Sequence, residues 1–157
     1  MDQLRTCFVI APINDLFDRY YKNIFRRAVV DAGFKPVRAD SLARSTDIIG
    51  DIWRLTNDAF VLLADLSGMN PNVLYELGLA HALGKPVVLV ASRVDDIPFD
   101  LRGLRVLIYD KDDEAWGTKL RQDITKALVQ SRELSTGPYP FTIKGRSTAD
   151  RVSGRTL

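Results

Sequence analysis

The stretch from Phe60 to Val90, FVLLADLSGMNPNVLYELGLAHALGKPVVLV, constrains this chain more than any other. Phe60 to Ala64 is a continuous apolar run, too short for a free-standing helix and closed by Asp65, which predicts a buried strand. Leu66 to Asn72 supplies Ser67, Gly68, Asn70, Pro71 and Asn72, the residue types that make turns and cap helices. Val73 to Leu83 has helical apolar spacing, Gly84 stops it, and Lys85-Pro86 leads into a second apolar strand, Val87 to Val90. Glu76 stands in the first turn or so of that helix, beside the loop. A carboxylate placed there is held at the carboxyl edge of a sheet, where open α/β folds bind ligands.

The flanking sequence repeats the alternation. Thr6 to Ala11 is a short β-rich run ended by Pro12, and Asn14 to Asp18 reads as loop. Tyr20 to Ala32 carries Tyr21, Ile24, Phe25, Ala28 and Val29 at helical spacing, with Gly33 as its C-cap. Phe34 to Ala39 is a strand with Pro36 inside it, and Asp40 to Thr46 is a polar connection. Asp47 to Asn57 is a helix whose apolar stripe is Ile48, Ile49, Ile52 and Leu55. Beyond Val90 come a polar loop (Ser92 to Asp100), a strand (Arg105 to Tyr109) and a last helix, Asp112 to Arg132. Asp112, Asp113 and Glu114 sit at the start of that helix, where its dipole favours negative charge. The order predicts an α/β protein, a single flavodoxin-like (Rossmann-like) domain with helices on both faces of a five-stranded parallel sheet. Strand order 2-1-3-4-5 puts the switch point between the first and third strands. Residues 1–134 make this domain, and 135–157, with scattered Gly, Ser, Thr and Pro, read as a flexible basic tail.

Composition narrows the chemistry. Net charge is +2, and the tail holds Lys144, Arg146, Arg151 and Arg155 against Asp150, so the body is close to neutral. No broad basic face for nucleic acid is expected. One cysteine, Cys7, lies in an apolar strand and forbids an intrachain disulfide; one histidine, His81, rules out zinc sites built from several His or Cys. The first residues carry no signal-peptide pattern, and no apolar run reaches the roughly 18 residues of a bilayer span. These features lead us to expect a cytoplasmic protein without a metal or cofactor.

In the predicted sheet the loops after strands one to four converge. They bring Pro12, Asp15, Arg38, Asp40, Asp65, Asn70, Asn72 and Ser92 toward Glu76. Arg38 offers a bidentate contact to phosphate or carboxylate, and the helix start at Asn72 offers amides to an anion. Such an edge suits a ribosyl or nucleotide ligand. No Gly-x-Gly-x-x-Gly follows the first strand and no Gly-Lys-Ser/Thr loop exists, which argues against dinucleotide-dehydrogenase and P-loop chemistry. Asp65, Ser92 and Lys111 stand where phosphoacceptor receiver domains place their aspartate, hydroxyl and lysine. Receivers also need an acidic pair after the first strand to hold magnesium, and here that position reads Ala11-Pro12-Ile13-Asn14.

The stretch ADLSGMNPNVLYELGLAHALGKPVVLV resembles the central signature of the nucleoside 2-deoxyribosyltransferase-like proteins and the related bacterial TIR-like domains. The resemblance rests on Glu76-Leu77-Gly78, on Gly84-Lys85-Pro86 and on Ala11-Pro12 ending the first strand. It implies that Glu76 attacks or stabilises the anomeric carbon of an N-ribosyl bond. Elementary chemistry agrees, because breaking a C–N glycosidic bond builds oxocarbenium character that a fixed carboxylate stabilises or traps. Asp65 and Asn70 are the expected orienting groups, and Pro12, Arg38, Asp40, Asn72 and Ser92 the substrate contacts. Many of the transferases carry aspartate where this chain has Asn70, and an amide cannot donate a proton as an acid. Hydrolysis of a nucleoside, nucleotide or NAD-like molecule is therefore expected ahead of base exchange, with self-association of the TIR-like kind and nucleotide binding without turnover as the alternative.

Overall fold

The computed structural model describes residues 4–39 and 46–133. Asp40, Arg44 and the Ser135–Leu157 tail lie outside the described residues. Strand β1 (Thr6–Ile10) is followed by α1 (Asp15–Tyr20), a π-helical turn (Tyr21–Phe25) and α2 (Arg26–Asp31). Next come β2 (Lys35–Arg38), α3 (Ile48–Asp58), β3 (Val61–Asp65), α4 (Pro71–Ala82), β4 (Val87–Ala91), β5 (Val106–Ile108) and α5 (Trp116–Glu133). The sheet order is β2-β1-β3-β4-β5 with every pair parallel, as the sequence predicts. Pro36, which has no N–H for a ladder, is accommodated because β2 is an edge strand.

Alternate residues of the central strands feed two cores, the period-2 geometry of a strand buried on both faces. Cys7, Val9, Val61, Leu63 and Val90 pack against Ile24, Phe25, Val29, Leu120, Ile124 and Leu128. Phe8, Ile10, Leu62, Ala64 and Leu89 pack against Val73, Leu77 and Ala80 of α4. The α1–α2 rod and α5 therefore cover one face, and α4 with α3 the other. Cys7 is wholly buried and its thiol is pushed far up, which makes it an inert core side chain.

Four elements differ from expectation, each for a local reason. The first helix begins at Asp15 rather than Tyr20, because Asn14 Oδ1 accepts from Phe17 N at 3.1 Å and caps a turn whose polar residues look like loop. Helix α4 begins at Pro71 because Asn70, not Asn72, is its cap. Helix α5 begins at Trp116, so Asp112, Asp113 and Glu114 precede it; Asp113 Oδ1 accepts from Ala115 N at 2.8 Å. Within the expected apolar stripe of α3, Ile52 is buried but Ile48 and Ile49 are about half exposed, and the polar Thr56 is buried on Ile52's side of the helix.

Candidate active site

Beneath the carboxyl edge lies a closed polar cluster. Asp65, the last residue of β3, is completely buried. Its Oδ1 accepts from Ser67 N at 2.8 Å and its Oδ2 from the Tyr109 hydroxyl at 2.9 Å. Ser67 Oγ lies 3.0 Å from the Tyr109 oxygen and accepts from Ser92 N at 2.9 Å. Burial raises the Asp65 carboxyl above its ordinary value, against the lowering effect of its bonds to Ser67 and Tyr109. Tyr109 is pushed up too, first by burial and then by the Asp65 charge. Its ring stacks on Trp116 at 5.4 Å, and Tyr20 meets both rings edge-on. Asp65 thus ties β3, the loop after it, the loop after β4 and the residue after β5 into one unit. Its place is under the site rather than on its surface.

The loop above this cluster is tightly wound. Gly68 has φ 75° and Met69 φ 50°, the left-handed region that only glycine enters freely. Two consecutive left-handed residues reverse the chain between Asp65 and Asn70. Asn70 Oδ1 then accepts from Asn72 N at 3.0 Å and Val73 N at 3.2 Å. The helix amides expected to receive an anion are therefore already satisfied by Asn70, which corrects the reading of Asn72 as an anion site. Asn72 itself is exposed. Asp47 caps α3 at the same edge, accepting from Gly50 N at 2.9 Å.

Glu76 is of another kind. It is the sixth residue of α4, two residues deeper than a start at Val73 would place it, and beyond the first turn where the field of a helix start is favourable. Its side chain is half-buried, and no described donor lies within hydrogen-bond distance of it. Burial alone pushes its carboxyl up to about 7. A desolvated carboxylate that receives no hydrogen bond from the described chain is a candidate functional group.

The remaining expected residues divide. Pro12 is buried at the end of β1, and Ser92 is half-buried with its amide in the Asp65 cluster. Arg38 is committed to the protein: its Nη2 lies 2.6 Å from Asp18 Oδ1, its guanidinium sits 4.9 Å from the Tyr21 ring centroid, and its side chain is 7% exposed. A ligand phosphate at Arg38 would share the guanidinium with Asp18. The rival acid came from the helix start that the sequence hid. Lys85 of the Gly-Lys-Pro segment is structural, with Nζ 2.9 Å from Ala59 O and 2.5 Å from Asn57 O at the end of α3. Sequence reasoning missed Tyr109 and Ser67, whose only signal was a hydroxyl at the same sheet edge as Asp65. A cavity of about 80 Å³ lined by Val61, Pro86, Val87, Arg105 and Ser131 lies at the opposite edge of the sheet and is too small for a nucleoside.

This architecture is the nucleoside 2-deoxyribosyltransferase-like fold. The solved structure of the Clostridium botulinum CMP N-glycosidase BcmB shares it, with a TM-score of 0.57 over 75% of this chain and 99% of that one, at 18% identity. A 2-desoxiribosyltransferase from Leishmania mexicana overlaps with a TM-score of 0.49 at 23% identity, covering 57% of this chain; the chain spans 65% of that protein's length. No family model and no curated protein matches the chain.

Proposed function

We propose that this chain hydrolyses the N-glycosidic bond of a nucleoside or nucleotide, with Glu76 as the carboxylate that meets the anomeric carbon. The observation that carries this reading is the state of Glu76: half-buried, without a donor, and raised to about 7 by desolvation. As the C–N bond breaks, positive charge develops on the sugar, and the ionised Glu76 stabilises it or forms a glycosyl ester with it. The base departs with the electron pair of the C–N bond and takes its proton from solvent. Water then adds to the anomeric carbon, the water's extra proton is lost to solvent, and free sugar and free carboxylate are regenerated. Asn70, an amide that caps α4, and the buried Asp65 do not protonate the departing base in this account. Asp65 is a positioning residue in this account, setting the loop that carries Asn70 to Glu76.

The likeness to a CMP N-glycosidase makes pyrimidine nucleoside monophosphates the first substrates to test. A panel of nucleosides, nucleotides and NAD, read by chromatography for released base, tests the proposal. Free base is expected with the parent and about a thousand-fold less with Glu76→Gln. Equal rates in the two proteins would sink the assignment.

A second reading is a TIR-like module that binds a nucleotide through the same edge and self-associates without turnover. The apolar rim favours it: Ile13, Met69, Tyr75, Val94 and Phe99 are all exposed at the loops and helix start of that edge. A homo-oligomer packing on this rim fits either reading, as does a cytoplasmic setting that keeps Cys7 reduced. Calorimetric nucleotide binding with no base released by concentrated, assembled protein would favour the module over the enzyme.

A further inference from the structure

On the sheet face away from α4, the α1–α2 rod and the amino end of α5 enclose a groove of about 480 Å³. That volume lies within the range of small-molecule sites, roughly 300–1,000 Å³. The two helices approach closely at its floor, where a Cβ on Gly117 would stand 3.4 Å from Ile24. Along one wall run Arg19, Asn23 and Arg27, successive turns of a helix widened by the π turn Tyr21–Phe25. Such insertions recur at functional positions because they break the regular backbone ladder.

The charges of this groove are unevenly matched. Arg121, on the opposite wall, is held by Asp31 through Nε at 2.6 Å and Nη2 at 3.0 Å. Arg19 and Arg27 form no ion pair within 4.0 Å among the described residues, although the charge of Arg27 helps to lower the Asp31 carboxyl from a greater distance. Both are exposed and two turns apart, roughly 12 Å along the axis, so they address two anionic centres rather than one. At the end nearer the sheet edge, the rings of Trp116 and Tyr20 meet at 5.1 Å and line the same groove. Glu114 stands beside them, exposed, and offers carboxylate oxygens to hydroxyl donors.

We propose that this groove is a second ligand site, for a nucleoside polyphosphate: the base at Trp116 and Tyr20, the ribose diol at Glu114, the phosphates on Arg19 and Arg27. It is independent of the role given to Glu76. Arginine recognises phosphate oxygens by paired N–H bonds, and an aromatic edge adds a contact that inorganic polyanions cannot make. The chain has two tryptophans, and Trp53 lies on α3, across the sheet. A Trp53→Phe background therefore makes Trp116 the sole fluorescent tryptophan.

The test titrates ADP, adenosine and inorganic triphosphate into that background and follows Trp116 emission, with circular dichroism as the check on folding. Saturable ADP quenching is expected, equally in the Glu76→Gln protein, with adenosine and inorganic triphosphate each binding about ten-fold or more weakly. The Arg19→Gln/Arg27→Gln pair, both at exposed positions, is expected to weaken ADP by a similar factor while base release at Glu76 is unchanged. No saturable quenching at millimolar ADP overturns the proposal, as does quenching indifferent to the arginine pair. Quenching lost in Glu76→Gln would reassign the signal to the other site and overturn it as well. Triphosphate binding as tightly as ADP would reject the nucleotide and leave a bare polyanion site.

Discussion

Two carboxylates of one strand–loop–helix unit have been driven in the same direction by the same force, and they could hardly be housed more differently. Asp65 and Glu76 are both raised by desolvation. Asp65 is fully buried, yet its oxygens receive an amide and a phenol, and the donors themselves are tied to Ser92 and stacked on Trp116. Glu76 is less buried and receives nothing from the described chain. A burial penalty met by hydrogen bonds is a structural feature; one left unmet marks a candidate functional group. The comparison separates the residue that holds the loops together from the residue proposed to act at the edge above them.

The largest expected effect is on chemistry. Glu76→Gln keeps shape and removes charge, so base release should fall about a thousand-fold, while Asp65→Asn, which can still accept from Ser67 N, should retain most of it. Similar losses in the two variants would merge the roles. Stability should respond in the reverse sense. Asp65→Ala leaves the Ser67 amide and the Tyr109 hydroxyl buried without an acceptor, a cost of about 3 kcal/mol or more in urea unfolding. Tyr109→Phe removes one donor only and should cost about 1–2 kcal/mol. A smaller but sharper effect is the pH profile. With Glu76 acting as the ionised form and titrating at about 7, kcat/KM should climb through neutrality to a plateau above it. A flat or falling limb there would make Glu76 an acid or a bystander. Smallest is Gly78→Ala, which fills open space on an exposed helix face and should stabilise the monomer by about 0.5–1 kcal/mol. If it also weakens self-association in sedimentation, the apolar rim and α4 are the packing surface.

Much of the fold was legible in the sequence because its signals are local and periodic. Continuous apolar runs such as Phe60 to Ala64 predict doubly buried strands, and the helical spacing between them predicts the crossovers, which leave few topologies. What escaped notice was set by hydrogen bonds between distant residues or by caps. The start of α1 was hidden because Asn14, Asp15 and Asp18 look like loop until Asn14 is seen to cap it, and Asp18 then pairs with Arg38. Glu76 was legible as the candidate from its neighbours, but not its want of a partner. Tyr109 was not legible at all, since only the closed sheet brings the end of β5 to the end of β3. The exposed Ile48 and Ile49 show the limit of periodicity: it marks an apolar stripe but not what covers it.

The central claim is that Glu76 is held against the interest of the fold. Its folded value of about 7 exceeds its ordinary value of 4.5, so the fold favours the neutral acid. The resulting penalty is absent below about pH 4.5, grows as pH rises to about 7, and is complete above it. Urea unfolding of parent and Glu76→Gln from pH 5 to pH 8 measures this directly. The variant should be nearly as stable as the parent at the acid end and more stable by about 1–2 kcal/mol at pH 8, allowing for solvent screening of a half-buried group. A variant less stable than the parent at pH 8, or a difference that does not change with pH, would make Glu76 an ordinary structural carboxylate and contradict the account.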